Sequence, residues 1–283
     1  MTLEPQWLRQ QLVVALAADD DLFDWLTLKG GIALALAHKI GNRSSLDIDY
    51  SLRSDIGRDT LEPLILAALR RRLDQQNLHI FDFCFLLRPP SPTEPRWGGY
   101  RIEFKIIAKA DYDPKNVQTS RRRSLRIGSD AQDSQKWTIE ISRHEVIPES
   151  EELAIAEGFT CRVYTKSLIG AEKLRALCQQ MPEYPHRAHP TPRPRDYYDL
   201  HSLITEGGVN IATPHFANLL VPVFEAKEVP LSLLQRLSDH SNFHASDWDS
   251  VANSIPANRP RRFSFYEQFV LDRLQLLYKV LGW

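Results

Sequence analysis

The sequence predicts an α+β protein in which a mixed β-sheet comes first and a helical region follows. Before about residue 160, several segments alternate apolar and polar residues, which is the period of a strand with one buried face. From Thr165 onwards the apolar spacing becomes helical and stays so. Segregation of strands from helices along a chain is typical of the α+β class. We therefore expect one domain over residues 1–160 and a helical domain over residues 161–283.

Composition narrows the class of protein further. The chain has 283 residues, of which 43% are hydrophobic and 25% are charged, and this balance excludes disorder over most of its length. Lys and Arg total 35 against 36 Asp and Glu, so a wholly basic nucleic-acid binder is excluded. Three scattered cysteines form neither a disulfide framework nor a zinc cluster. Without an 18-residue apolar stretch, the sequence predicts a soluble cytoplasmic protein with no membrane partner.

The expected elements follow from periodicity and from the breaks between periodic segments. In the first domain we expect helices over 3–18, 32–37 and 58–76, and strands over 25–28, 45–52, 79–87, 100–108 and 136–142. Loops over 89–98 and 110–134 separate the last three strands. In the second domain we expect helices over 165–180, 195–206, 213–226, 230–239 and 264–281, with a proline-rich loop over 181–194.

An Asp-x-Asp pair on a predicted strand is the most informative feature. Asp47 and Asp49 are two residues apart, so both carboxylates face the same way, roughly 6–7 Å apart. Such a pair can hold one or two Mg²⁺ ions, although most Asp-x-Asp pairs are solvated strand faces. The turn at Gly30-Gly31 offers backbone N–H groups to a triphosphate, and Arg43 and Ser45 lie just before the acids. Together these residues predict a magnesium–nucleotide site.

Three motifs in order resemble a known family. Leu28-Lys29-Gly30-Gly31 with Arg43-x-Ser45-x-Asp47-x-Asp49 resembles the core motif of the AbiEii/AbiGii toxin family, a branch of the DNA polymerase β-like nucleotidyltransferases. Residues 171–177 are similar to the family's helical Glu-Lys-Leu-x-Ala-Leu motif, and residues 195–200 to its Arg-Asp-x-x-Asp-Leu motif. The resemblance spans about residues 25–205 and implies a polymerase-β-like mixed sheet with flanking helices, followed by a helical domain that completes the active-site cleft.

The resemblance assigns roles to residues of the helical domain. It implies that Lys173 contacts the nucleotide phosphates. It makes Asp196 an active-site residue that either fixes Lys173 across the cleft or helps to position the acceptor. Asp199, three residues further on, is interpreted as structural.

A third carboxylate completes the metal site in that superfamily, and two residues are candidates. Glu103 shares its strand face with Arg101 and Lys105, which is typical of a solvated surface with cross-strand charge pairs. Glu140 is the one acid on an otherwise small and uncharged strand face, and its place in the chain fits the family's third acid. We therefore prefer Glu140 to Glu103.

These residues and the resemblance together imply nucleotidyl transfer. An acceptor hydroxyl would attack the α-phosphorus of an NTP, and pyrophosphate would leave, with Mg²⁺ held by Asp47, Asp49 and Glu140. The groups expected to neutralise the triphosphate are Gly30, Gly31, Arg43, Ser45 and Lys173. The resemblance implies a toxin of a bacterial toxin–antitoxin or abortive-infection system with a separately encoded antitoxin. It also implies an RNA acceptor, with the tRNA 3′ end as the leading candidate.

Two arginine clusters bear on the acceptor. One cluster is Arg121–Arg123 with Arg126, and the other is Arg259, Arg261 and Arg262. Because the rest of the chain is net acidic, they are candidates for RNA phosphate contacts that flank the cleft. Two alternatives stay open: a nucleotidyltransferase that modifies a protein or small molecule, and a non-catalytic nucleotide-binding module.

Overall fold

The structure is a computed structural model, and it describes residues 4–41, 47–90, 98–127, 135–187, 189–255 and 260–283. The chain divides into two compact units. The first comprises Met1–Ala37, Ser45–Glu145 and Glu151–Val163, and the second comprises His38–Ser44, Val146–Ser150 and Tyr164–Trp283.

A seven-stranded sheet organises the first part of the chain. Its strands are β1 Leu26–Lys29, β2 Ile48–Leu52, β3 Leu78–Arg88, β4 Gly99–Ala108, β5 Trp137–Ser142, β6 Ser150–Ala156 and β7 Phe159–Tyr164. Their order in the sheet is β3-β4-β5-β2-β1-β7-β6. Strand β2 pairs with β5 in parallel and with β1 in antiparallel fashion, so the sheet is mixed, as the sequence predicts.

Helices flank this sheet, which buries the apolar residues of one face. They are α1 Pro5–Ala17, α2 Asp20–Trp25, α3 Gly30–Ile32, α4 Arg58–Gln75 and α5 Val117–Arg123, with π-helical turns over Ala33–His38 and a 3-10 turn over Lys109–Asp111. Helix α4 packs against α1 and β3. Its Ile65 and Leu69 are fully buried, as are Ile102 of β4 and Ile139 of β5. Burial of alternate strand residues on this face forms the core of the unit.

The second unit is helical. Its elements are α6 Lys166–Cys178, α7 Pro194–Thr205, α8 Pro214–Glu225, a 3-10 segment Leu231–His240, α9 Ser241–Ala245, α10 Trp248–Ala252 and α11 Phe263–Leu281. Helix α6 packs against α7 and α8, and α11 packs against α7. None of the helices in the described ranges has the length and apolar character needed to cross a membrane.

The predicted fold class is confirmed, with three local corrections. The segment 110–134 is not loop throughout, because it contains α5. The helix expected over 230–239 is a 3-10 segment instead of an α-helix. Strands β6 and β7 were not predicted; they form a hairpin whose turn places Glu157 and Gly158 at positive φ.

Candidate active site

The turn after β1 brings the backbone against one of the predicted acids. Lys29, the last residue of β1, is in register with Asp49 of β2. Gly30 follows with φ at +69°, a conformation that glycine adopts without steric cost. A Cβ at Gly30 would lie 2.5 Å from Asp49 Oδ2. Glycine is therefore required at position 30 both by the backbone conformation and by the close carboxylate. Gly31 is the second residue of α3.

Gly30→Ala is expected to lower nucleotidyl transfer about a hundredfold, because the methyl group must push the Asp49 carboxylate out of place. Gly158→Ala is the matched control. Its φ is +81°, yet nothing lies within 4 Å of the added Cβ. Both variants should lose about 1 kcal/mol of stability from the backbone alone. Transfer rates measured beside thermal melts separate the effects, and equal rates in the two variants would contradict the assignment.

The sheet brings Asp49 and Glu140 together. In the parallel pairing of β2 with β5, Asp49 is the direct partner of Glu140. Paired residues project from the same face of a sheet, on strands about 4.8 Å apart. Asp47 lies in the bend immediately before β2 and is half-buried, while the Glu140 side chain is 49% exposed. Three residues separated by up to 93 positions in the sequence are thus placed around one end of two central strands.

These carboxylates suit magnesium rather than a structural metal. Across the described ranges, no three His, Cys, Asp or Glu side chains converge closely enough to hold a metal by themselves. Magnesium prefers hard oxygen ligands and is commonly bound by one or two carboxylates together with waters and substrate phosphates. Neighbouring carboxylates on an accessible sheet face, such as Asp49 and Glu140, provide that kind of donor set.

Cations flank the two acids on the neighbouring strands. Lys29 Nζ lies 3.7 Å from Glu145 Oε1, and both side chains are at most 10% exposed. On the other side, Arg101 of β4 is the register partner of Glu140, and the nearest charged atoms of this pair are 3.8 Å apart. The row across β1, β2, β5 and β4 therefore reads lysine, aspartate, glutamate, arginine.

Glu103 takes part in the charge pairs that the sequence suggests. Its Oε1 lies 3.0 Å from Arg101 Nε, and its Oε2 accepts a hydrogen bond of 2.9 Å from Lys136 Nζ. The hydrogen bond from Lys136 lowers the pKa of Glu103. Glu103 pairs with Thr138 of β5, and it lies two residues along β4 from Arg101, which pairs with Glu140. Both cations therefore neutralise Glu103 on the strand surface.

A buried ion network joins α6 to α7 in the helical unit. Lys173 Nζ donates to Asp196 Oδ1 at 3.0 Å and to Asp199 Oδ2 at 2.6 Å, and all three side chains are below 10% exposed. Arg193 Nε also donates to Asp196. Burial opposes ionisation of Asp196, but Arg193 and Lys173 together hold the pKa of this carboxyl well below its ordinary value.

Asp199, which the sequence analysis interprets as structural, is a member of this network. It makes the shorter of the two contacts to the Lys173 ammonium. Its position three residues after Asp196 is the available signal, because residues three apart lie on the same face of a helix. The Lys173–Asp196 contact that the resemblance implied is present, and it lies wholly within one compact unit.

His244 supports the start of α7 and carries no signal in the sequence. Its Nδ1 accepts a 3.1 Å hydrogen bond from the backbone N–H of Arg193, the residue that precedes the helix. The imidazole is fully buried, and this burial lowers the pKa of His244 to about 4. The ring is therefore neutral at pH 7, and its lone pair is available to accept this bond.

Several residues that were predicted to contact phosphates either have protein partners or lie outside the described residues. Arg43, Ser45 and Arg259 lie outside the described residues. Arg121, on α5 instead of a loop, donates to both carboxylate oxygens of Asp82, at 2.6 and 3.0 Å. Arg261 lies over the ring of Phe265, 4.3 Å from its centroid.

The class of enzyme follows from the family to which the sequence belongs. The sequence profile of the nucleotidyl transferase AbiEii toxin family, type IV toxin–antitoxin system, matches residues 11–269. The chain belongs to this family. It is a nucleotidyltransferase toxin whose class implies an NTP substrate and a cognate antitoxin.

A solved structure is also similar to the chain. It is MenT4, a nucleotidyltransferase toxin from Mycobacterium tuberculosis H37Rv, with a TM-score of 0.47 and 17% sequence identity. The similarity covers 96% of this chain and 82% of the MenT4 chain. No curated protein sequence matches the chain significantly.

Proposed function

We propose that the chain transfers a nucleotide from a magnesium–NTP complex to the 3′ hydroxyl of an RNA, with tRNA as the leading acceptor. The observation that supports this proposal best is the register pairing of Asp49 with Glu140 beside Gly30. That arrangement offers two carboxylates on an accessible face, next to a backbone turn that leaves no room for a side chain.

Each acid has a role in the proposed reaction. Asp47, Asp49 and Glu140 hold magnesium, which when bound neutralises phosphate charge. The acceptor hydroxyl attacks the α-phosphorus, the bond from that phosphorus to the bridging oxygen breaks, and pyrophosphate leaves. The hydroxyl proton passes to the carboxylate of Asp47, Asp49 or Glu140. Gly30 and Gly31 leave the backbone open to the triphosphate, and the resemblance adds Arg43 and Ser45 to its contacts.

Lys173 is proposed to neutralise the charge that grows on the leaving pyrophosphate. Two acceptors, Asp196 and Asp199, fix the position of its ammonium group. Asp196 and Asp199 are thus positioning residues in this proposal, since they act through Lys173. Preorganised charge of this kind needs no reorganisation during the reaction.

Labelling tests the acceptor directly. The full-length protein is incubated with Mg²⁺, total bacterial RNA and each α-³²P NTP in turn, and the products are separated on a denaturing gel. One NTP is expected to label RNA of tRNA size, and the Asp49→Asn protein should give no signal. Label in a protein band, or in a small molecule only, would replace RNA as the acceptor.

Glu140→Gln is expected to slow transfer by about 10²–10³-fold, on the scale of losing one preorganised electrostatic group. Glu103→Gln is the matched variant from the neighbouring strand. Its carboxylate serves the pairs with Arg101 and Lys136, so its transfer rate should stay within about twofold of wild type. Single-turnover rates decide between the two acids, and a larger loss in Glu103→Gln would reverse the assignment.

A further inference from the structure

Beyond Glu140, the outer face of β4 and β5 carries charged, partly exposed side chains. Along β4, Ile102, Phe104 and Ile106 are buried, while the residues between them are half-exposed. Strand β5 alternates in the same way, and its outer row consists of Thr138, Glu140 and Ser142. We call the charged residues of this outer surface the open face: Arg88 on β3, Arg101, Glu103 and Lys105 on β4, and Lys136 and Glu140 at β5.

The open face carries a net positive charge, because its four cations outnumber its two acids, Glu103 and Glu140. Glu140 belongs to the proposed metal site, and Glu103 is paired with Arg101 and Lys136. Lys136 is 53% exposed and Arg101 is 37% exposed. Arg101 and Lys105 are four residues apart on β4, roughly 13 Å, with Glu103 between them, so the cations form a spaced row instead of a single anion pocket. A row of this kind matches a chain of phosphates better than one small anion.

Reaction geometry indicates which substrate lies on this side. In nucleotidyl transfer the attacking and leaving oxygens are roughly in line on opposite sides of the phosphorus. The sheet row places Gly30 and Lys29 on the β1 side of Asp49, and Arg101 on the β4 side of Glu140. With the pyrophosphate on the Gly30 side, the attacking hydroxyl must arrive from the β4 side.

We propose that the open face holds the phosphate backbone of the RNA acceptor and delivers its 3′ hydroxyl to Asp49 and Glu140. This inference rests on the proposed function and names the surface on which its acceptor lies. The cations contact phosphates, which fix position without reading sequence. The α5 cluster lies outside this surface, and its Arg121 is held in a two-point ion pair with Asp82.

A double substitution on the open face tests the surface. Lys105→Gln/Lys136→Gln removes one half-buried and one exposed charge and leaves Arg101 beside Glu140. Arg58→Gln is the control; Arg58 is 53% exposed on α4 and its guanidinium lies over the ring of Phe85, which is buried on the opposite face. The probes are fluorescein-labelled bulk bacterial tRNA for binding and the same tRNA, unlabelled, for transfer from the NTP that labelling identifies.

The double variant should raise the KM for tRNA about tenfold at 0.15 M salt, with NTP affinity as in wild type. The slope of log K against log salt should fall by about 1.4–1.8, the loss expected for two phosphate contacts. Arg58→Gln should match wild type in both measurements. If wild type modifies tRNA and the double variant does so with unchanged KM and salt slope, the open face is wrong and the proposed function stands. If wild type modifies no RNA, the proposed function has failed before any variant is compared, and label in a protein overturns both.

Discussion

Replacement of Asp49 by Asn should reduce nucleotidyl transfer by at least about 10³-fold and abolish growth inhibition by the expressed toxin. Asn keeps the shape of the side chain against Gly30 but removes the negative charge that magnesium requires. Asp49 also sits in the centre of the lateral row, paired on one side with Lys29 and on the other with Glu140. Loss of this one charge therefore leaves Glu140 as the one acid of the row.

The control for this prediction is Asp55→Asn. Asp55 follows β2 closely, its side chain is 55% exposed, and it accepts two hydrogen bonds of 2.8 Å from Arg143. Loss of an exposed ion pair changes stability by at most about 1 kcal/mol and should leave transfer intact. Rates from purified proteins with matching far-UV circular dichroism make the comparison. Wild-type transfer by Asp49→Asn would remove Asp49 from the metal site.

Lys173→Met is expected to destabilise the protein by about 3–5 kcal/mol, because it strands two buried carboxylates without their shared cation. For a unit of this size, the loss corresponds to a fall in Tm of about 10 °C. Arg236→Gln provides the comparison; Arg236 pairs with Glu183 and Asp239, but its side chain is 50% exposed. Its Tm should change by no more than about 2–3 °C.

Two further measurements separate charge from packing in the lysine network. Adding Asp196→Asn and Asp199→Asn to Lys173→Met should recover part of the lost stability, because the two buried side chains that have lost the lysine are then uncharged. Acidification should also lower the free energy of unfolding. The pKa of Asp196 is lowered in the folded state, so its contribution to stability is complete above the ordinary Asp pKa of about 3.9 and is lost as the pH falls below it. A triple variant no more stable than Lys173→Met would indicate that lost packing is the cause.

The sequence predicts those parts of the fold in which apolar residues recur at a clear helical or strand spacing. Strands β3, β4 and β5 and helices α4, α6, α7 and α11 lie close to their predicted ranges. Strand β6 was missed because Glu151 and Glu152 stand where a sheet usually has β-branched or aromatic residues. Helix α5 was missed because residues 117–123 have no apolar period; the Asn116 side chain, which accepts from the Thr119 N–H, caps it instead.

The candidate site also has one part that the sequence predicts and another that it does not. Alternation along β4 and β5 separated Glu103 from Glu140 before any register was known, and the choice of Glu140 stays a prediction. Register itself is a long-range property, so no local pattern shows that Asp49 pairs with Glu140. His244 illustrates the limit most clearly: its partner, the Arg193 backbone N–H, lies 51 residues away and any residue type there offers the same N–H.

The parallel pairing of β2 with β5 has a consequence for the order of events during synthesis. Asp49 emerges from the ribosome long before Glu140, and the two strands cannot pair until the chain beyond Ser142 has been made. Lys173 gains its acceptors later still, when Asp199 is available. Pairings so distant in sequence form late in folding, because the entropy of closing long loops must be overcome first. A ribosome that has made only the first half of this toxin therefore carries a nascent chain in which Asp49 has not yet found its partner.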